Sequence, residues 1–244
     1  MRSPGMTLAT TLMLTLGSAA SPGATSAPLC SAESDAQMPA VVELYTSEGC
    51  SSCPPADRWL STLKGRPGVL ALAFHVNYWD HLGWSDRFAT AEGTARQRAL
   101  ARAAGQPSIY TPQVRVNGHN LRAGAPLPPP KPSALRVTME SDGSEAQVRV
   151  AAAATDGPAR LAGWWAVVED GHASRVRAGE NVGETLRHDH VVRLYRPVAD
   201  WDTASGLRAR LMLPAVEAGH PRRVVFVVAD PHTQQPLQAL ALPC

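Results

Sequence analysis

The first half of the chain alternates short apolar runs with segments of helical character. Apolar residues fill positions 40–47 (AVVELYTS) and 69–76 (VLALAFHV), and helical segments follow them at 56–63 and 87–105. Continuous apolar runs that are separated by helices are typical of a parallel α/β sheet whose strands are buried on both faces. The stretch at 112–121 (PQVRVNGHNL) then predicts a strand, a tight Asn-Gly turn and the start of a return strand.

The second half has many short β-rich runs and few helical segments. Runs such as LRVTME, WWAVVED and VVFVVAD are separated by turn sequences, and GENVGE at 179–184 predicts a further polar turn. Short strands of this kind are typical of a small antiparallel β-sandwich. Five prolines in the ten positions 124–133 favour an extended connector between the halves. The sequence therefore predicts an α/β domain over residues 38–123 and a β-sandwich domain over residues 134–244.

The N-terminus has the pattern of a secretory signal peptide. Arg2 precedes an apolar stretch over about residues 6–16, and small residues follow it. We predict cleavage after Ala20, with Ala24 and Ser26 as a later alternative. Residues 1–20 are then the signal peptide, and the protein is expected in the periplasm or outside the cell. The stretch reaches only about half of the ~30 Å hydrocarbon core, and no later stretch approaches a spanning helix, so we expect no membrane anchor in the mature protein.

The hydrophobic content and charge of the chain exclude some classes of protein. Hydrophobic residues make up 44% of the chain, which is enough for ordinary cores, so disorder is not indicated. The 23 Lys and Arg residues are nearly balanced by 21 Asp and Glu residues, and no basic stripe alternates with aromatic residues. Nucleic-acid binding is therefore not expected.

The stretch TSEGCSSCPPAD places Cys50 and Cys53 between the first predicted strand and the first predicted helix. Free N–H groups and partial positive charge at a helix N-terminus stabilise a thiolate and lower its pKa. Cys50 is therefore the candidate nucleophile, and Cys53 is close enough to resolve a mixed disulfide by closing the Cys50–Cys53 bond. This is the thioredoxin arrangement. The predicted fold class is an α/β thioredoxin-like domain followed by a small antiparallel β-sandwich.

A second motif, YTPQVRVNG, is consistent with that fold. Thioredoxin-like folds place a threonine or similar residue before a cis-proline and pack this turn against the dithiol. Thr111 and Pro112, with Tyr110 beside them, are therefore predicted to bind substrate by aligning a protein thiol or disulfide across Cys50. Trp79, in the aromatic stretch HVNYWDHLGW, is predicted either to form a wall of the same groove or to belong to that segment's own small core. No cofactor is expected.

Five stretches carry a resemblance to a known family. They are VVELYTSEGCSSCPPAD, LAFHVNYWDHLGW, ARQRA, YTPQVRVNG and GENVGETLRHDHVVR. The match spans roughly residues 40–242 and resembles a bacterial family of secreted thioredoxin-like proteins, domain-of-unknown-function family 1223. The resemblance implies a thioredoxin-like domain with a C-terminal β domain, and it implies no settled activity.

Two classes of function remain open. The first is a thiol–disulfide oxidoreductase that acts on protein thiols or disulfides through Cys50 and Cys53. The second is a binding protein, in which the cysteines either bind Cu(I) or Zn(II) together with His75 or form an inert staple. His188 and His190, two residues apart in a predicted strand, are a weaker metal-binding candidate because no third ligand is evident. The oxidoreductase is favoured, and no metal ligand is assigned.

The other two cysteines, Cys30 and Cys244, lie near the two ends of the predicted mature chain. Four cysteines in an oxidising compartment usually form two disulfides. If Cys50 pairs with Cys53, a structural disulfide between Cys30 and Cys244 remains, and it would tie the chain ends together. The alternative is that these two cysteines are free or pair between molecules.

Overall fold

The computed structural model describes residue 1 and residues 30–151, 157–215 and 217–243. Apart from Met1, the predicted signal peptide lies outside the described residues, and so does Cys244. The predicted cleavage and the predicted Cys30–Cys244 disulfide therefore stay predictions. In the part of the chain that is described, no helix is long and apolar enough to span a membrane.

The described residues form sixteen β-strands, two α-helices and two short 3₁₀ turns. The strands are β1 (Cys30–Glu33), β2 (Gln37–Met38), β3 (Ala40–Thr46), β4 (Val69–His75), β5 (Gln113–Val116), β6 (His119–Leu121), β7 (Lys131–Pro132), β8 (Val137–Ser141), β9 (Glu145–Val150), β10 (Arg160–Glu169), β11 (His172–Arg175), β12 (Thr185–His188), β13 (Val191–Asp202), β14 (Leu207–Met212), β15 (Arg222–Ala229) and β16 (Pro236–Pro243). The helices are α1 (Pro54–Ser61) and α2 (Ala91–Ala103), and the 3₁₀ turns are Asp80–Leu82 and Thr203–Ser205.

Eight of these strands form one large mixed sheet in the order β16-β15-β10-β13-β4-β3-β5-β6. Within it β13, β4 and β3 run parallel to one another, and the other neighbouring pairs are antiparallel. A second sheet has four antiparallel strands in the order β1-β8-β9-β14. Two small sheets, β11-β12 and β2-β7, each contain two strands.

The predicted fold class, an α/β thioredoxin-like domain followed by a small antiparallel β-sandwich, is wrong. Strands make up 44% of the described residues and helices 13%. The apolar runs at 40–47 and 69–76 do form buried strands, but strands from the second half extend their sheet, with Val191 of β13 opposite Ala73 of β4. An apolar run indicates a buried strand without specifying the direction or origin of its neighbours. The pattern therefore predicted where these strands lie along the chain, but it did not predict which strands pair with them in the sheet.

The large sheet is covered differently along its length. Helix α1 packs on one face of β3 and β4, where Leu60 belongs to the same cluster as Leu44. On the opposite face, Phe74 belongs to a cluster with Trp164 of β10. The neighbouring Trp165 belongs to the third cluster, which lies between the four-stranded sheet and β10, β15 and β16. Strands from both sides of the proline-rich stretch thus belong to one sheet. The domain boundary predicted at residues 124–133 stays a prediction.

A buried ion pair joins α2 to the large sheet. Arg96 of α2 donates to both carboxylate oxygens of Glu43 in β3, from Nε at 2.7 Å and from Nη2 at 2.8 Å, and both side chains are buried. Its guanidinium also donates to the Tyr195 hydroxyl of β13 at 3.2 Å and lies 4.1 Å from the ring of Trp164. Burial lowers the pKa of Arg96, but the charge of Glu43, the neighbouring Tyr45 and Tyr195 and the hydrogen bond to Glu43 together raise that pKa above its ordinary value.

The parallel pairing of β3 with β4 positions the candidate site. Thr46 at the end of β3 lies opposite His75 at the end of β4. Because parallel strands end at the same edge of a sheet, the segments that follow them, 47–53 and 76–90, meet at this edge. Both cysteines of the C-x-x-C motif lie in the first of these segments.

Candidate functional site

Cys50 and Cys53 form a disulfide immediately before α1. Pro54 and Pro55 occupy the first helical positions, where N–H groups have no partner within a helix, so the helix begins there without losing a hydrogen bond. The backbone N–H of Asp57 donates to Cys53 O at 3.1 Å. The predicted Cys50–Cys53 pairing is confirmed, and the helix predicted over 56–63 begins two residues earlier, at Pro54.

Both cysteines of this disulfide are fully buried, with 0% exposure, although Ser51 and Ser52 between them are exposed. Trp79 covers the chain at Gly49. A Cβ atom placed on Gly49 would lie 2.9 Å from Trp79 Cβ, so a larger residue there would displace the indole. A protein partner therefore cannot reach the sulfur atoms in this conformation.

Trp79 also connects the disulfide segment to the predicted substrate-binding turn. Its indole Nε1 donates to Thr111 Oγ1 at 2.7 Å, and the Thr111–Pro112 peptide bond is cis. Tyr110, the preceding residue, is 48% exposed. Trp79 additionally packs against the core cluster that contains Phe74 and Trp164, so its contacts are not confined to its own segment. Substrate binding by Trp79, Tyr110, Thr111 and Pro112 stays a prediction.

A loop from the second half of the chain closes over the disulfide segment. We call residues 176–184, between β11 and β12, the covering loop. Asn181 in this loop is buried, and its side-chain amide donates to Glu48 O at 2.8 Å and to Cys50 O at 3.0 Å. The covering loop therefore holds the backbone on both sides of Gly49.

Glu180 adds a third hydrogen bond from the covering loop. Its carboxylate accepts from the backbone N–H of Ser51 at 2.9 Å, and this bond lowers the pKa of Glu180. Sequence reasoning predicted only a polar turn here. It missed the contact because Asn181 and Cys50 are 131 residues apart, and no local pattern relates them.

Two carboxylates and two histidines form a buried network behind Cys50. Glu48 accepts hydrogen bonds from Trp84 Nε1 at 2.8 Å and from His188 Nε2 at 3.2 Å. Burial raises the pKa of Glu48, but the hydrogen bond with His188 contributes to a net lowering. Asp86 accepts from Glu48 N–H at 2.9 Å and contacts His75 Nδ1 at 2.6 Å. Burial lowers the pKa of His75, but the charge of Asp86, the hydrogen bond to it and the charges of Asp57 and Glu48 together raise that pKa above its ordinary value.

Asp57 is a buried carboxyl group one helical turn after Cys53. It accepts a hydrogen bond from Thr46 Oγ1 at 3.1 Å. Burial raises the pKa of Asp57 above its ordinary value, although the charges of His188 and His75 act in the opposite direction. A carboxyl group with a raised pKa takes up a proton more readily than an ordinary one, which makes Asp57 a candidate for proton transfer.

Comparison with known families places these features in a wider group. A family model described as "Protein of unknown function (DUF1223)" matches residues 41–228, which include the disulfide, the turn at Thr111 and the covering loop. The chain belongs to this family. Membership of domain-of-unknown-function family 1223, predicted from the sequence, is therefore confirmed, while a bacterial and secreted origin stays a prediction.

Two solved structures are similar to this DUF1223 protein. The crystal structure of protein AGR_C_4864 from Agrobacterium tumefaciens has a TM-score of 0.61 and 25% identity, and the match covers 84% of this chain and 94% of that chain. HBP35 of Porphyromonas gingivalis has a TM-score of 0.54 and 14% identity, with coverage of 85% and 76%, and this likeness shows the fold alone. No curated protein matches the sequence.

The geometry of this DUF1223 protein gives no support to the metal sites weighed from its sequence. Cys50 and Cys53 are bonded to each other, and the ring of His75 belongs to the buried network. His188 ends β12, whereas His190 lies beyond that strand with a φ of 61°, so the prediction that both lie in one strand is wrong.

Proposed function

We propose that this protein catalyses thiol–disulfide exchange through Cys50 and Cys53. The observation that carries the proposal is a disulfide between cysteines three residues apart, placed directly before α1. The partial positive charge at the start of a helix favours a thiolate there once the bond is reduced, although Pro54 and Pro55 supply no N–H donor. The expected partners are protein thiols or disulfides, and the exchange needs no cofactor because the electrons pass between sulfur atoms.

The exchange proceeds in two displacements. A thiolate of the partner attacks Cys50 Sγ, the bond between Cys50 and Cys53 breaks, and Cys53 Sγ leaves as a thiolate. A second thiolate of the partner then attacks the partner's own sulfur in the mixed disulfide, forms the partner's disulfide and releases Cys50 Sγ. Two electrons pass from the partner to the cysteine pair, and the protons of the two partner thiols pass to the protein or to solvent. The reverse sequence reduces a partner disulfide.

We assign supporting roles in this exchange to residues near the disulfide. Asp57, with its raised pKa, exchanges a proton with the sulfur of Cys53 when the bond opens or closes. Exposed Tyr110 and the Thr111–Pro112 turn align the partner chain. Trp79 holds this turn through its hydrogen bond to Thr111.

The covering loop has to move before a partner can reach the disulfide, because both cysteines are fully buried. Asn181→Ala removes two hydrogen bonds that keep the loop closed. At about 1 kcal/mol each, their loss favours the open loop by roughly 10- to 30-fold. We expect dithiothreitol to reduce the disulfide faster by that factor, measured by rapid alkylation and mass spectrometry.

The matched control for the loop variant is Glu184→Gln. Glu184 lies at the end of the same loop and is exposed, so this variant should be reduced at the wild-type rate. If Asn181→Ala also reacts at the wild-type rate, the covering loop does not control access to the disulfide.

The function itself is tested by equilibrating the purified protein with glutathione buffers and by following reduction of insulin. We expect a reduction potential above about −300 mV together with catalysed exchange, because a structural disulfide has a potential below about that value. A potential well below that limit, with no catalysis, would show that Cys50–Cys53 is an inert staple and would overturn the proposal.

We also propose that the protein acts in the periplasm or outside the cell. The N-terminal sequence supports this location, because Arg2 and the apolar stretch that follows have the pattern of a secretory signal peptide. An oxidising compartment also favours persistence of the disulfide.

A further inference from the structure

His172, Glu217 and His220 form a second cluster of polar side chains. His172 begins β11, while Glu217 and His220 lie in the segment between β14 and β15. One ligand atom from each residue can be chosen so that all three atoms lie within 4.8 Å of one another. Phe88 separates this cluster from the buried network at the disulfide, since its ring lies 4.8 Å from that of His172 and 5.2 Å from that of His75.

The two histidines of the cluster each have one ring nitrogen engaged by an acceptor. His172 Nε2 lies 3.0 Å from a carboxylate oxygen of Glu169, and His220 Nδ1 lies 3.0 Å from the backbone oxygen of Asp170. Acceptors at these positions place the proton on the engaged nitrogen. The lone pairs of His172 Nδ1 and His220 Nε2 are then available, and a histidine held in this way by an oxygen is typical of metal ligands.

Arg87 marks the place where a cation is favoured. Its guanidinium lies 3.5 Å from His172 Nδ1 and 3.6 Å from Glu217 Oε1, so it contacts two of the three ligand residues. The Arg87 side chain is 48% exposed and can swing into solvent. Arg193 contacts the other oxygen of Glu217 at 3.5 Å.

We propose that His172, Glu217 and His220 bind one Zn²⁺ ion, with Arg87 as the side chain that the ion displaces. Two imidazole nitrogens and one carboxylate oxygen are a ligand set that Zn²⁺ uses, and the set leaves a fourth position for water. Burial lowers the pKa of His172, which is consistent with a neutral ring able to donate its lone pair. This site is independent of the thiol–disulfide function.

Side chains of the cluster have to move before the three ligand atoms can bind one ion. Ligand atoms at about 2.0 Å from Zn²⁺ in a tetrahedron lie about 3.3 Å apart, which is less than the 4.8 Å limit observed here. His172 is buried in a strand, so the movement falls to Glu217 and His220, whose side chains are 39% and 18% exposed. The rings of His172 and His220 are stacked with centroids 3.8 Å apart and an interplanar angle of 19°, so the His220 ring has to turn before the lone pairs of both rings can reach one ion.

The proposal is tested by calorimetric titration of Zn²⁺ into the full-length protein after treatment with EDTA, with Cys50 and Cys53 kept oxidised. We expect one ion per chain. Loss of an outer-sphere partner typically costs 10- to 100-fold in metal affinity, so we expect His220→Ala to weaken binding by more than about 100-fold. Glu217→Gln keeps the shape of the side chain and should also weaken binding.

Arg87→Ala gives a result that a structural role for the cluster does not predict. Removal of a competing exposed cation should tighten Zn²⁺ binding by about two- to fivefold. His232→Ala, at an exposed histidine outside the cluster, is the control and should bind as the wild type does. Absence of binding, or binding that survives His220→Ala and Glu217→Gln, overturns the site. If Arg87→Ala binds Zn²⁺ no more tightly than the wild type does, the role assigned to Arg87 is overturned.

Discussion

Cys53→Ser is expected to accumulate mixed disulfides between Cys50 and partner proteins, whereas Cys50→Ser is expected to lose exchange altogether. The first variant keeps the attacking sulfur but lacks the sulfur that resolves the adduct. The second variant lacks the attacking sulfur, so no adduct forms. Cells that express each variant can be quenched with an alkylating agent, and the adducts separated on non-reducing gels and identified by mass spectrometry after reduction.

The two cysteine variants control for each other. Both lose the same disulfide, so a change in stability is shared, and they differ in which sulfur remains. Adducts should appear with Cys53→Ser, vanish on reduction and be absent from Cys50→Ser. Equal adduct levels in the two folded variants would contradict the assignment of Cys50 as the nucleophile.

Arg96→Ala is expected to destabilise the protein by about 3–5 kcal/mol. This change leaves the carboxylate of Glu43 buried without its cation, and breaking a buried ion pair from one side carries a penalty of that size. It also removes contacts with Trp164 and Tyr195, which belong to strands from the second half of the chain. Urea unfolding followed by circular dichroism measures the loss of free energy of unfolding.

Arg98→Ala is the matched control on the same helix. Arg98 is exposed, so its loss should change the free energy of unfolding by less than about 0.5 kcal/mol. A double change of Arg96→Met with Glu43→Leu should recover part of the stability, because an apolar pair leaves no uncompensated charge. If Arg96→Ala and Arg98→Ala unfold at the same urea concentration, the buried pair is not a source of stability.

Local features of the fold could be predicted from the sequence. The apolar runs predicted the positions of β3 and β4 to within a residue or two, and the Asn117-Gly118 turn does join β5 to β6. These elements are specified by side-chain period and turn chemistry within a few residues. The Cys50–Cys53 disulfide was predictable for the same reason, because its two members are three residues apart.

Contacts between distant segments could not be predicted in this way. The apolar faces of β4 and β13 are compatible with many neighbours, and nothing in either run specifies that Ala73 lies opposite Val191. His172 and His220 carry no spacing motif, because the backbone between them forms four strands before it returns. Asn181 lies in a polar stretch that predicts only a turn, and its contact with Cys50 exists because the sheet brings the loop there.

The distance in sequence between the disulfide and its cover has a consequence for biosynthesis. Cys50 and Cys53 emerge from the ribosome long before Asn181, and chains are synthesised at about 5–20 residues per second. For several seconds, therefore, the nascent chain carries both thiols with nothing to shield them. In the oxidising compartment proposed for this protein, the pair is therefore oxidised most readily before the covering loop has folded over it.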